Sequence, residues 1–138
     1  MTPVAPVPGL EPAFTVDARL GPLEDHGMTR AGHRRVIPVA GGRVAAVAGG
    51  LADDLPGEPF EADILPGGAD WQLVRPDGSI EIDTRYSART PAGEFVHFRT
   101  SGVRSGPPEV LAALERSVFV ASAVRGADSV AYTAYRVT

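Results

Sequence analysis

Residues 70–103, DWQLVRPDGSIEIDTRYSARTPAGEFVHFRTSGV, hold two short turns whose chemistry sets the pairing of everything around them. Pro76-Asp77-Gly78 and Pro91-Ala92-Gly93 each fit a three-residue hairpin loop, with Pro opening a type I turn and Gly taking the left-handed position. A loop of that length predicts Arg75 opposite Ser79, Gln72 opposite Ile82 and Asp70 opposite Thr84. In the second hairpin it places Thr90 opposite Glu94, Ala88 opposite Val96 and Tyr86 opposite Phe98. Side chains then sort by strand alternation into two sets. One face gathers Val74, Ile80, Ile82, Tyr86, Ala88, Val96 and Phe98 and has to be buried.

Asp70, Gln72, Thr84 and Thr100 fall on that same apolar face. A carboxylate and an amide two residues apart on a core-facing strand cost free energy unless they find partners or line a wet cavity. A barrel of about eight strands is wide enough to hold one small ligand, and a carboxylate, an amide and a phenol in an apolar lumen make such a site. The expectation is that Asp70 and Gln72 look into the interior and meet Tyr86 there. A structural alternative has Asp70 capping the turn after Gly67-Gly68 and Gln72 bonding an open sheet edge. The opposite face carries Trp71, Asp83, Arg85, Ser87, Arg89, His97 and Arg99. It reads either as a solvated wall or as a cationic groove in which Arg85 and Arg99 clamp an anion, Asp83 orients His97 and Trp71 supplies a stacking surface.

Outward from this segment the chain keeps the same character. Residues 1–12, with Pro3, Pro6, Pro8 and Pro12, read as a flexible extended arm, and residues 13–138 as one domain. Phe14, Val16, Ala18 and Leu20 alternate with polar neighbours as in a half-buried strand. Gly21 to Gly32 reads as a loop. Arg34 to Ala40, Arg43 to Ala48, Pro59 to Leu65, Ser117 to Val124 and Ser129 to Val137 read as further strands. Pro107-Pro108-Glu109 followed by Val110, Leu111 and Leu114 predicts the single short helix. Short strands, frequent Gly/Pro turns and one helix make an all-β antiparallel barrel or sandwich.

Composition narrows the function classes. The 138 residues are 43% hydrophobic and 22% charged, as one globular domain requires, and no Cys is present to form disulfides, thiolate nucleophiles or Cys-type metal sites. Acidic side chains outnumber basic ones by 17 to 13, and the Arg residues are scattered, so no nucleic-acid partner is expected. No apolar run approaches the roughly 18 residues of a membrane helix, and the N-terminus has no signal-peptide pattern, so a cytoplasmic location with no membrane partner is expected. His26, His33 and His97 form no metal-ligand spacing. None of Gly41-Gly42, Gly49-Gly50 and Gly67-Gly68 opens a phosphate-binding motif, and no Ser sits in a nucleophile elbow. Neither a metal nor an organic cofactor is expected.

The block Gly67-Gly68-Ala69-Asp70-Trp71-Gln72-Leu73-Val74-Arg75-Pro76-Asp77-Gly78 resembles the family known as domain of unknown function 3237. So do Arg34-Arg35-Val36-Ile37-Pro38-Val39 upstream and Asp83-Thr84-Arg85-Tyr86 and Gly102 to Val110 downstream. The resemblance runs from Phe14 to Val137. It implies a lipocalin-like or calycin-like antiparallel barrel, often dimeric, with no settled activity, and it matches at Arg35, Asp70, Trp71, Gln72, Asp83, Arg85 and Tyr86. Val44 to Phe60 departs from the family's Gly-rich pattern. The passage from Val110 to Ser117 omits a hairpin that members usually carry.

Together these features point to a cofactor-independent isomerase, cyclase or lyase acting on a small molecule of natural-product or aromatic metabolism. Asp70 would be the general base and Tyr86 the donor to a developing oxyanion. Gln72 would orient a substrate oxygen, Arg35 or Arg85 would anchor a carboxylate, and Trp71, Asp83 and His97 would complete the binding surface. The alternatives are a non-catalytic ligand-binding barrel, and a filled barrel whose strand edges serve a homodimer.

Overall fold

The computed structural model describes residues 5–7, 9–47, 60–109, 123–125 and 128–137. They form nine antiparallel strands: β1 (Leu10–Leu20), β2 (Glu24–Thr29), β3 (Gly32–Ala46), β4 (Glu61–Ile64), β5 (Ala69–Val74), β6 (Ile80–Arg89), β7 (Phe95–Arg104), β8 (Ala123–Arg125) and β9 (Ser129–Val137). All belong to one sheet, in which β3 pairs with β1, β2, β4 and β5. From there β6 and β7 extend one side, and β9 and β8 extend the other. The sheet curls until its two wings touch: the ring of Phe14 on β1 meets Phe98 on β7 edge to face, with centroids 5.8 Å apart. Among the described residues no ladder joins β7 to β8 or β9.

Both hairpin loops have three residues. Arg75 N donates to Ser79 O and Gly78 N to Arg75 O, each at 2.9 Å, and the same pair of bonds closes Thr90–Glu94. Gly78 and Gly93 take φ of 83° and 91°, a region that an L side chain enters only with strain. The Asp77 carboxylate accepts from Ser79 N at 2.9 Å and from Ser79 Oγ at 2.6 Å, which stiffens the first turn. The expected pairs follow, Asp70 with Thr84, Tyr86 with Phe98 and Ala88 with Val96. The core collects Val16, Ala18, Val39, Val44, Ala62, Ile64, Tyr86 and Ala88 from four strands, with Phe14, Leu20, Phe60, Phe98, Val130 and Tyr132 packed against them.

Four expectations change. The stretch read as a loop between Gly21 and Gly32 contains β2, a strand exposed on both faces and so without the apolar alternation that marks half-buried strands. The Gly41-Gly42 break does not separate two strands; it sits inside β3 as a bulge, where Arg19 pairs with Gly41 but Leu20 with Val39, leaving Ala40 extra. The N-terminal arm joins the sheet earlier than its prolines imply: Leu10, Glu11 and Pro12 pair with Val137, Arg136 and Tyr135, and the register shifts just after Pro12. No helix is among the described elements. Of the expected one only Pro107, Pro108 and Glu109 are described, the last two in helical conformation, and the rest of it, like residues 117–122 of the expected strand, lies outside the described residues.

Two positions test this packing. A Cβ at Gly68 would meet Arg85 O and the Cβ and Cα of Tyr86, so Gly68→Ala is expected to destabilise by about 3 kcal/mol or more, read as a denaturation midpoint shift. Val44, 0% exposed, is the comparison: Val44→Ala removes two methyl groups and should cost about 2 kcal/mol.

Candidate functional site

Strands β3 and β5 pair so that Arg35 stands opposite Gln72 and Ile37 opposite Asp70. Cross-strand partners share a face, and this is the face that carries Tyr86 and Ala88 on β6. A continuous polar line results. Arg35 Nη2 donates to Gln72 Oε1 at 2.8 Å, and Gln72 Nε2 donates to Asp70 Oδ2 at 2.7 Å. Gln72 is 2% exposed, so its amide is held with oxygen toward the guanidinium and nitrogen toward the carboxylate. Two polar atoms of the line are buried without a hydrogen-bond partner among the described residues: Asp70 Oδ1 and Arg35 Nε. Buried polar atoms are nearly always satisfied, and an open carboxylate oxygen at one end of the line with an open guanidinium N–H at the other is a donor and acceptor set a polar ligand would complete.

The line continues toward β2. Asp25 pairs with Arg35 in the ladder, and its Oδ1 lies 2.6 Å from His33 Nε2. The His33 contact, with a bond from Gly27 N, holds the Asp25 carboxyl below the usual carboxylate range.

Tyr86 lies on the same face but has a different partner. Its hydroxyl is 2.5 Å from the hydroxyl of Tyr132 on β9, and its ring stacks on Phe98 with centroids 5.1 Å apart. The expected meeting of Asp70 with Tyr86 is therefore replaced by two pairings, Asp70 with Gln72 and Tyr86 with Tyr132. Burial pushes the Tyr86 phenol far above its ordinary value, with the neighbouring Tyr132 adding to the shift, and burial also raises Tyr132. Both remain protonated across the neutral range, and one of the two hydroxyls donates to the other. Tyr132 is absent from the residues singled out by local reading. Its signal was there, in the apolar alternation Val130, Tyr132, Ala134, but its place opposite Val16 depends on a pairing between strands more than 100 residues apart.

The remaining candidates lie on the other face. Trp71 is 39% exposed, and Asp83, Arg85, His97 and Arg99 follow it across β6 and β7. Asp83 accepts from Arg85 Nη2 at 3.1 Å and from Arg99 Nε at 3.3 Å, so its carboxylate serves the two guanidiniums and not His97. Arg85 first, and then Arg99, hold the Asp83 carboxyl below its usual range. The candidate residues thus divide: Arg35, Asp70, Gln72 and Tyr86 inward, and Trp71, Asp83, Arg85 and His97 outward. No single pocket contains them all.

These features define an antiparallel barrel-like sheet with a polar line on its apolar inner face. The chain belongs to the family of proteins of unknown function DUF3237, whose model matches residues 8–117, as the Gly-Gly-Ala-Asp-Trp-Gln block implies. It is 37% identical over 103 residues to the UPF0311 protein RPA1785 of Rhodopseudomonas palustris, a match covering 75% of this chain but only 60% of that protein. The crystal structure of RPA1785 superposes with a TM-score of 0.77 at 27% identity, covering 97% of this chain and all (100%) of the crystallised one. A β-barrel-like protein of Acinetobacter baumannii superposes at 0.72 with 28% identity, over 98% and 99% of the two chains. An enzyme from Penicillium herquei shares the fold at a TM-score of 0.60 and 15% identity, over 99% of this chain and 100% of its own. No helix among the described residues is long and apolar enough to cross a membrane.

Two measurements check this geometry. Tyr86→Phe removes one hydroxyl of a buried pair and should cost about 1 kcal/mol; Tyr132→Phe should cost a similar amount, and the double variant less than the sum. Because the Asp25 pKa is lowered in the folded state, its contribution is present above the ordinary carboxylate value and is lost as pH falls through the lowered one. Denaturation midpoints of Asp25→Asn should therefore fall less steeply with acidification than those of the unaltered chain.

Proposed function

We propose that the inner face binds a small organic molecule and moves a proton on it without an organic cofactor or a metal, as an isomerase, cyclase or lyase. The observation that supports this reading is the open Asp70 Oδ1, buried at one end of a line whose other end carries an equally open Arg35 Nε. In an ordinary core such atoms would be paired or replaced by carbon. Here Gln72 occupies Oδ2 and leaves Oδ1 to accept.

The chemistry follows from the donors and acceptors. Asp70 takes a proton from an acidic C–H or O–H of the ligand through Oδ1. The negative charge left on a ligand oxygen is met by N–H of Arg35 or by the phenol pair, which burial keeps protonated. Arg35 balances the carboxylate charge through Gln72, so the base can sit in an apolar wall without an uncompensated charge. The proton held on Asp70 then returns to a second carbon, giving isomerisation, or to a leaving group, giving elimination. If the ligand oxygen itself adds to a carbon–carbon double bond conjugated with a carbonyl, the π bond breaks, a ring closes, and the proton held on Asp70 goes to the carbon next to that carbonyl. The enzyme from Penicillium herquei supports the reading only in so far as the same fold is found in a catalyst.

The test is proton exchange. A panel of enolisable 2-oxo acids, β-keto esters and phenolic ketones is incubated in deuterium oxide and followed by proton NMR. At least one class is expected to exchange in the presence of the protein, with Asp70→Asn slowing exchange by about a hundredfold or more. Exchange that survives Asp70→Asn unchanged would overturn the assignment of the base. Saturable binding with no exchange in the panel would favour a ligand-binding protein instead.

A further inference from the structure

The outer face of β5, β6 and β7 holds a groove of about 490 Å³ whose lining includes Arg34, Trp71, Glu81, Asp83, Arg99 and Val103. The acids of this groove are already committed. Glu81 is paired with Arg75, and Asp83 is shared by Arg85 and Arg99. Arg34 has no carboxylate partner among the described residues. Its Nη1 donates instead to the main-chain oxygens of Trp71 at 3.1 Å and Gln72 at 3.4 Å, which fixes the guanidinium in the groove that Trp71 also lines. A protein of net charge −4 thus presents, in one groove, a positioned guanidinium without a counter-charge next to a half-exposed aromatic ring.

We infer that this groove is a second binding site, distinct from the inward polar line, and that it takes planar aromatic carboxylates. The carboxylate pairs with Arg34, where two parallel N–H donors give a planar anion both charge and orientation, while the ligand ring lies against Trp71 and Val103. A neutral aromatic would keep only the ring contact. An aliphatic carboxylate would keep only the ion pair. Because alternate residues of a strand point to opposite faces, ligand here and ligand at Asp70 would be separated by the thickness of the sheet.

Trp71 is the only Trp, so its fluorescence reports this groove alone. Titration of the whole protein with benzoate, excited where benzoate does not absorb, is expected to give a saturable change that weakens as sodium chloride is raised. Benzamide and cyclohexanecarboxylate are each expected to bind roughly tenfold more weakly, the loss of one charged or one stacking contact. Arg34→Gln should bring benzoate down to the benzamide level. A response that grows linearly without saturating, or one identical for benzoate and benzamide, would overturn the proposal. The comparison between the ligands needs no variant, so it stands even if Arg34→Gln fails to fold.

Discussion

The structure turns on the bulge in β3. This strand is paired with β2 on one side up to Val36 and with β5 on the other up to Pro38; from Val39 onward its partners are β1 and, from Gly42, β4. One strand thus belongs to two halves of the sheet, and the extra residue Ala40 lets it bend from one half into the other. Gly41 and Gly42, with φ of 145° and 143°, adopt a backbone that other residues rarely reach, and a Cβ on Gly42 would run into Asp17 O and the Cα of Ala18. With this bend in place the wings approach, and the Phe14–Phe98 and Tyr86–Tyr132 contacts form across the interior.

The curl gives the two faces of one short strand unlike environments. Gln72 and Asp70 on β5 turn toward the core side and must find partners there, which Arg35 supplies through the amide; Trp71 between them turns outward to a groove rich in guanidinium groups. Inside, a lone carboxylate would be costly, and the Arg35–Gln72–Asp70 chain makes it tolerable while leaving one oxygen open. Outside, solvent screens the Asp83–Arg85–Arg99 cluster, so those ion pairs contribute little to stability.

Local chemistry made the hairpins legible. Pro76-Asp77-Gly78 and Pro91-Ala92-Gly93 fit a three-residue loop, loop length sets register, and register assigns each side chain of β5, β6 and β7 to a face. That is why Gln72 and Tyr86 could be placed inward, and Trp71 and Arg85 outward, from residue order alone. Strand β2 escaped because Glu24 to Thr29 is exposed on both sides and so lacks alternation. The Gly41-Gly42 doublet misled because the same residues that punctuate a chain also permit a bulge inside a strand.

By itself the sequence determined the all-β class, the two hairpin registers and which residues of the candidate site share a face. Those are consequences of turn geometry and alternation, and each acts over a few residues. Tertiary structure alone decided the partners: that Arg35 bonds Gln72, that Tyr86 finds Tyr132 and not Asp70, and that Asp83 serves Arg85 and Arg99. Two of these contacts, Arg35–Gln72 and Tyr86–Tyr132, join strands that are not neighbours in sequence. The Tyr86–Tyr132 meeting depends on how closely the bend in β3 brings the wings of the sheet together, which no local pattern of residues encodes.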